Sequence, residues 1–303
     1  MTRALVTACN LKFAEGARGM LASARRFHPE VVRYCIAPAA DADGVRAALG
    51  DLATVVTAPR LVAGVPDEML MQLYVVRLFL PTFPEEVVAW VDCDVAFRGP
   101  AGALWDVPPG RVNVVRDAVY NLGRMVAPDV WPAYAALFRV APTDPGFNAG
   151  VFALRRADWP DLIDRYERAV VAGRFPYYLL GFDQALINGL LLPHANWLPR
   201  AFNAHALFEL GTASDDRVLH YTDSPKPWMP GYRRHWPGYA DWAEFAEQCG
   251  PLRAKLLRLY YTANFPRRTG YKLARKVLTV LGLWSHRVGV ADAKTLRDPP
   301  STP

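Results

Sequence analysis

The sequence has no glycine-rich phosphate loop. Neither G-x-G-x-x-G nor G-x-x-x-x-G-K-[ST] occurs, which leaves dinucleotide dehydrogenases and P-loop nucleotidases without support. H-E-x-x-H and G-x-S-x-G are missing as well, so zincin and α/β-hydrolase chemistry have no carrier. The four cysteines, Cys9, Cys35, Cys93 and Cys249, lie far apart with no C-x-x-C pair. That spacing fits reduced thiols in a cytoplasm better than a disulfide framework or a zinc site. No apolar run is long enough to span a bilayer. Met1 to Thr7 runs almost at once into a strand-like segment and does not resemble a signal peptide. Internal repeats and low-complexity tracts are also lacking.

What is present suits one large globular domain, or a domain with an appendage: 303 residues, 52% of them hydrophobic. The net charge of +6 is unevenly spread. Residues 251–290 hold nine Lys or Arg and no Asp or Glu, so the rest of the chain carries a slight acidic excess.

Short apolar, β-branched runs alternate with helical periodicity. Strands are expected at Ala4 to Ala8, Val31 to Ile36, Leu52 to Val56, Val87 to Asp92, Val112 to Val115, Val151 to Leu154 and Val218 to His220. Helices are expected up to about Phe27, at Ala42 to Leu49 behind an Asp41 N-cap, and at Glu68 to Leu80, closed by Pro81. Others follow around Trp131 to Phe138, at Asp158 to Val171 and in GFDQALINGLL. The alternation predicts an α/β sandwich on a mostly parallel sheet, with a ligand cleft at the carboxyl ends of its strands.

One stretch carries chemistry on its own terms. EVVAWVDCDVAFRG is a buried strand ending in Asp92 and Asp94, spaced i and i+2, so on an extended backbone both project to one face and Cys93 to the other. Two carboxylates side by side repel unless a cation lies between them, and a hard divalent ion suits their oxygens. The alternative is a pair of solvated turn residues that end the strand.

DCD, FNAG, FDQALIN and HYTDSPKPW, together with VTACNLKFAEGA and YVVRLFLPTFPEEVVAWVDCDV, give the chain its resemblance to the family 8 glycosyltransferases. These are retaining nucleotide-sugar enzymes that include glycogenin and bacterial lipopolysaccharide galactosyltransferases. The resemblance covers roughly Arg3 to Trp228. It implies a GT-A fold, with a nucleotide-binding half over about 1–100 and an acceptor-facing half over about 101–245. Residues 246–303 would form a basic, amphipathic, helical C-terminal tail.

The resemblance makes Asp92, Asp94 and His220 the ligands of Mn²⁺, with Mg²⁺ as the alternative, on the diphosphate of a UDP-sugar. Lys226 would contact the pyrophosphate, Asn10 and Phe13 the base, and Arg77 the donor sugar and phosphates. Ala8 and Cys93 are further donor contacts. Asn148 and Ala149 would lie beneath the donor sugar, and Asp183 and Gln184 beside the anomeric carbon as the catalytic pair. Trp228 reads as packing. Several have a plainer reading as well: His220 as a core or capping histidine, Lys226 as a solvated surface lysine, Phe13 as core and Asp183 as a helix N-cap. Two departures stand out: Asp223 replaces a usual glycine, and Ala185 replaces the second acid of D-Q-D.

The implied reaction moves galactose or glucose to a hydroxyl of a glycan or glycolipid acceptor, as in lipopolysaccharide or other surface-glycan synthesis. A catalytically silent nucleotide-sugar binder and a sugar-nucleotide pyrophosphorylase are the alternatives. The tail, with its mixed Lys, Arg and aromatic residues, suits an anionic membrane interface. That gives a cytoplasmic protein, peripheral on the inner face of the membrane. Nucleic-acid binding has no fold motif behind it.

Overall fold

A computed structural model describes residues 1–58, 75–173, 183–206, 216–222, 226–229 and 239–246. The chain divides into two units, Met1–Lys255 and Leu256–Pro303. The expected tail and Asp223 lie outside the described residues.

The first three strands, β1 (Arg3–Ala8), β2 (Val32–Ala37) and β3 (Thr54–Thr57), alternate with helices α1 (Ala14–Phe27) and α2 (Ala42–Leu49). Next come β4 (Val87–Val91), β5 (Val95–Phe97), β6 (Val112–Asn121), α3 (Leu122–Met125), α4 (Trp131–Phe138) and β7 (Pro145–Arg155). The remainder is α5 (Leu162–Gly173), α6 (Asp183–Leu191), β8 (Ala195–Leu198), β9 (Ala204–His205), β10 (Val218–His220) and α7 (Tyr239–Ala246). Seven strands form the main sheet in the order β3-β2-β1-β4-β7-β6-β8. The first four run parallel, β7 is antiparallel to both its neighbours, and β8 is parallel to β6. The sheet is mixed but mostly parallel, and the fold is of the GT-A type.

Residue alternation explains the layers. On β4, Val88 and Trp90 enter one core with Val6, Val114 and Phe152, against Leu162, Tyr166 and Leu186 of α5 and α6. Val87, Ala89 and Val91 face the other way, onto Ala17, Met20 and Leu21 of α1. Each fully buried side chain of this size contributes roughly 1.5–3 kcal/mol of transfer free energy, so the helices are held mainly by these stripes. Both faces of β4 are covered. That is why its sequence is continuously apolar and not alternating.

A second sheet, β5-β10-β9, decides where the site lies. The chain leaves the main sheet at Val91 and enters the small one at Val95, turning at Cys93 and Asp94. β10 pairs antiparallel with β5, and His220 lies opposite Val95.

Several expectations shift. The helix expected over Glu68 to Leu80 lies partly outside the described residues; the described part is a 3-10 helix, Val75–Thr82, that continues through Pro81. The Thr82 hydroxyl closes it by donating to the Phe79 carbonyl at 2.7 Å. α5 begins at Leu162 and not at Asp158, because a 3-10 turn, Arg156–Asp158, ends at Trp159. Asp41 is the N-cap residue of α2, its carbonyl accepting from Val45 N at 2.8 Å, but its side chain does not cap: the carboxylate accepts from the Leu11 amide at 3.1 Å and ties down the loop after β1. β6 and β7 run longer than expected because they pair beyond a register shift.

Candidate active site

β4 delivers Asp92, the β4–β5 turn delivers Asp94, and β10 delivers His220. One ligand atom from each lies within 4.8 Å of the others. His220 Nε2 is 3.7 Å from Asp92 Oδ2 and 3.3 Å from Asp94 Oδ1. Two carboxylate oxygens and an imidazole nitrogen form a donor set that suits Mn²⁺ or Mg²⁺.

The backbone leaves room for such an ion. Asp92 N donates to Gly150 O at 2.8 Å, which lays β7 against the site. A Cβ on Gly150 would stand 2.3 Å from His220 Cε1 and 2.6 Å from Asp92 Oδ2. Only glycine fits there, and the three residues fit a divalent cation.

The carboxylates are held by cations and donors already in the protein. Arg77 Nη2 lies 3.1 Å from Asp92 Oδ1, and the indole Nε1 of Trp90 donates to the same oxygen at 2.7 Å. The Arg77 guanidinium also rests over the Trp90 ring, 5.3 Å from its centroid. A buried arginine on an apolar segment needs an anion, and this one finds Asp92.

Lys226 Nζ contacts Asp94 Oδ2 at 2.6 Å and donates to the Tyr221 carbonyl. Burial works to raise the Asp94 carboxyl, but the Lys226 ammonium and then the His220 imidazole outweigh it and hold it below the ordinary carboxylate range. Here the lysine expected at a pyrophosphate is bound to Asp94.

Behind the carboxylates lies a polar network. Asn148 Oδ1 accepts from Gly150 N at 3.0 Å and from Asn203 Nδ2 at 3.1 Å. Asn203 Oδ1 is 2.9 Å from His220 Nδ1. Asp117 Oδ2 receives Asn148 Nδ2 at 3.4 Å and Gln184 Nε2 at 3.3 Å, and Gln184 Oε1 accepts from Ala149 N at 3.2 Å. Asn148, Ala149 and Gln184 are thus brought together around Asp117, and Gly150 joins them to Asp92. Asp183 opens α6, but its side chain lies outside what is described.

The other expected positions are more peripheral. Asn10 Oδ1 accepts from Phe13 N at 3.2 Å and caps the short turn after β1. Phe13 meets Trp228 edge-on, with centroids 6.1 Å apart, and Trp228 in turn covers Gly16. This contact joins the loop after β1 to the Lys226 loop, and Trp228 packs as expected. Ala8 and Cys93 are buried in the two cores. Burial, then the Asp94 charge, pushes the Cys93 thiol up.

Sequence reasoning passed over Asp117 and Asn203. Asn203 did carry a signal, because F-N-A occurs twice, at 147–149 and again at 202–204. Asp117, inside V-V-R-D-A-V, carried none.

The fold is of the GT-A type, and solved glycosyltransferases share it. The galactosyltransferase LgtC, solved with donor and acceptor sugar analogs, is similar with a TM-score of 0.56 at 19% identity, over 82% of this chain and 96% of LgtC. The glycosyltransferase GlyE of Streptococcus pneumoniae TIGR4 matches at 0.58 and 17% identity, over 88% of this chain and 64% of GlyE. The bifunctional WbbM matches at 0.60 and 14%, over 84% of this chain and 51% of WbbM. No protein-family model and no curated protein matches the sequence.

Proposed function

We propose that the protein is a retaining, metal-dependent glycosyltransferase that moves galactose or glucose from a UDP-sugar to a hydroxyl of a glycan or glycolipid. The observation that carries the reading is the convergence of Asp92, Asp94 and His220 beside Lys226, on a fold shared with LgtC. Asp92, Asp94 and His220 would hold the ion. A divalent cation bound there supplies Lewis-acid stabilisation to a departing diphosphate.

The chain's own residues do the rest. Lys226, held by Asp94, offers a point charge to phosphate oxygens, and Arg77 adds another behind Asp92. Gln184, fixed by Ala149 N and Asp117, presents a neutral amide beside the donor sugar. Such a group is a poor nucleophile, which favours front-face attack by the acceptor; Asp183 is the candidate nucleophile of the other route, double displacement. A solved LgtC structure carries an active-site glutamine-to-glutamate substitution, which supports a glutamine in this role.

The deciding experiment is a thermal shift against a panel of UDP-sugars with and without Mn²⁺. Stabilisation needing both supports the reading, and the ranking points to the donor. UDP release then separates turnover from silent binding. Full Mn²⁺-dependent transfer by a protein carrying Asp92→Asn and Asp94→Asn would sink the proposal.

We place the protein in the cytoplasm, with the tail on the inner membrane face. No described helix is long and apolar enough to cross a membrane. Failure of the full chain to bind anionic vesicles at low salt removes the membrane contact.

A further inference from the structure

We propose that Asn203 is a positioning residue that sets the tautomer of His220 and links the metal ligands to the donor-sugar pocket. The inference rests on the reading of Asp92, Asp94 and His220 as ligands of a divalent cation.

Gly150 N–H can only donate, so the Asn148 atom 3.0 Å away is its carbonyl oxygen. The same oxygen lies 3.1 Å from the Asn203 side chain, which must therefore present its amide nitrogen to it. That turns the Asn203 carbonyl oxygen toward His220 Nδ1, 2.9 Å away. An oxygen there accepts, so Nδ1 carries the proton and Nε2 keeps its lone pair. Nε2 faces Asp92 and Asp94.

A ring nitrogen held by an acceptor on one side leaves the other free to ligate, and the acceptor also fixes the ring's orientation. Asn203 is only 1% exposed, so water does not compete for either bond. It lies next to β9, whose Ala204 pairs with Leu219 of β10, so the backbone register brings it to the ring.

The same bonds run outward from the metal ligands. Asn148 passes from Asn203 to Asp117, and Asp117 holds Gln184. One buried carboxamide therefore contacts both a metal ligand and the asparagine beneath the donor sugar. Among the described residues, Asn203 is the side chain hydrogen-bonded to both His220 and Asn148.

The test uses the full chain with Asn203→Leu and Asn203→Asp, and it has readouts that need no turnover. Mn²⁺ affinity is measured by electron paramagnetic resonance without donor, and the His220 tautomer by long-range ¹H–¹⁵N NMR without metal. Asn203→Leu removes the acceptor, so Mn²⁺ affinity falls roughly ten- to a hundredfold and the Nδ1–H tautomer loses its dominance. Asn203→Asp keeps an acceptor for Nδ1–H but turns an oxygen toward Asn148. It holds Mn²⁺ at least as well as wild type, while donor KM rises and kcat falls. Wild-type Mn²⁺ affinity in Asn203→Leu, or an Nε2–H tautomer in the metal-free wild type, overturns the proposal. If Asn203→Leu does not fold, Asn203→Asp and the wild-type tautomer decide. A wild type that binds no Mn²⁺ removes the metal reading instead, and an Nδ1–H tautomer in that same protein still upholds the positioning of His220.

Discussion

His220 lies opposite Val95, one residue past Asp94, so the pairing of β10 with β5 brings the imidazole to the turn between the two aspartates. The Tyr221 amide extends that pairing by donating to the Asp94 carbonyl at 2.9 Å. The site is therefore a product of the junction between two sheets, and four predictions test how it and its surroundings are held.

Gly150→Ala is expected to abolish divalent-cation binding with little change in fold. The added Cβ would meet His220 Cε1 at 2.3 Å and Asp92 Oδ2 at 2.6 Å, and the ligands must part to admit it. Gly102→Ala, with nothing within 4 Å of its Cβ, is the control and keeps wild-type binding. Mn²⁺ titration and circular dichroism of both variants check this.

Arg77→Leu leaves the half-buried Asp92 carboxylate without its cation, and breaking such a pair costs roughly 3–5 kcal/mol. Trp90→Phe keeps most of the packing and removes one donor to the same carboxylate, a loss of roughly 1.5–3 kcal/mol. Urea unfolding in chelator should therefore rank Arg77→Leu below Trp90→Phe. The reverse order would mean that Trp90, through its packing and its indole donor together, contributes more to stability than the Arg77–Asp92 pair.

His28 gives stability a pH dependence remote from the site. Burial lowers its pKa, and its Nε2 accepts from Ala101 N at 2.8 Å, which requires the neutral ring. A depressed folded pKa means the unfolded chain takes the proton first. Stability from this group is complete above about pH 6.5 and falls as pH drops toward the folded pKa. His28→Gln keeps an acceptor for Ala101, so its melting temperature should decline less than that of wild type over this range.

Cys9, Cys35 and Cys93 should resist alkylation in the native protein. Cys9 and Cys35 have sulfurs 3.6 Å apart, and all three thiols are buried. The contact with Cys35, followed by burial, pushes the Cys9 thiol up, and burial does the same at Cys93, so little thiolate is available to react. Mass spectrometry after brief iodoacetamide treatment, with and without urea, should find these positions modified only when unfolded.

Much of this was legible in the residues. VVAWV, VLH, ADGVRAAL and WPAYAALF each fold at or within a residue of where their periodicity and flanking breakers put them. The i, i+2 spacing of Asp92 and Asp94 also pointed correctly to convergence. The route differs, since the backbone turns at Cys93 and Asp94 where an extended strand was expected. The strand was expected to begin at Val151, after F-N-A-G, but F-N-A-G sits inside β7, because pairing with β4 and β6 overrides the local preference of Asn and Gly. Asp117 and Asn203 stayed hidden because their partners arrive through long-range pairing, which no local spacing encodes.

The crossing from β4 to β5 has a consequence for chain entropy. An ion gripping both aspartates and His220 acts as a cross-link between the DCD turn and a segment far downstream. The cost of closing such a loop grows only logarithmically with its length, so pinning it once removes much of the freedom of the intervening unfolded chain. Folding and metal uptake would then be one coupled equilibrium, and chelation would loosen the small sheet before the large one.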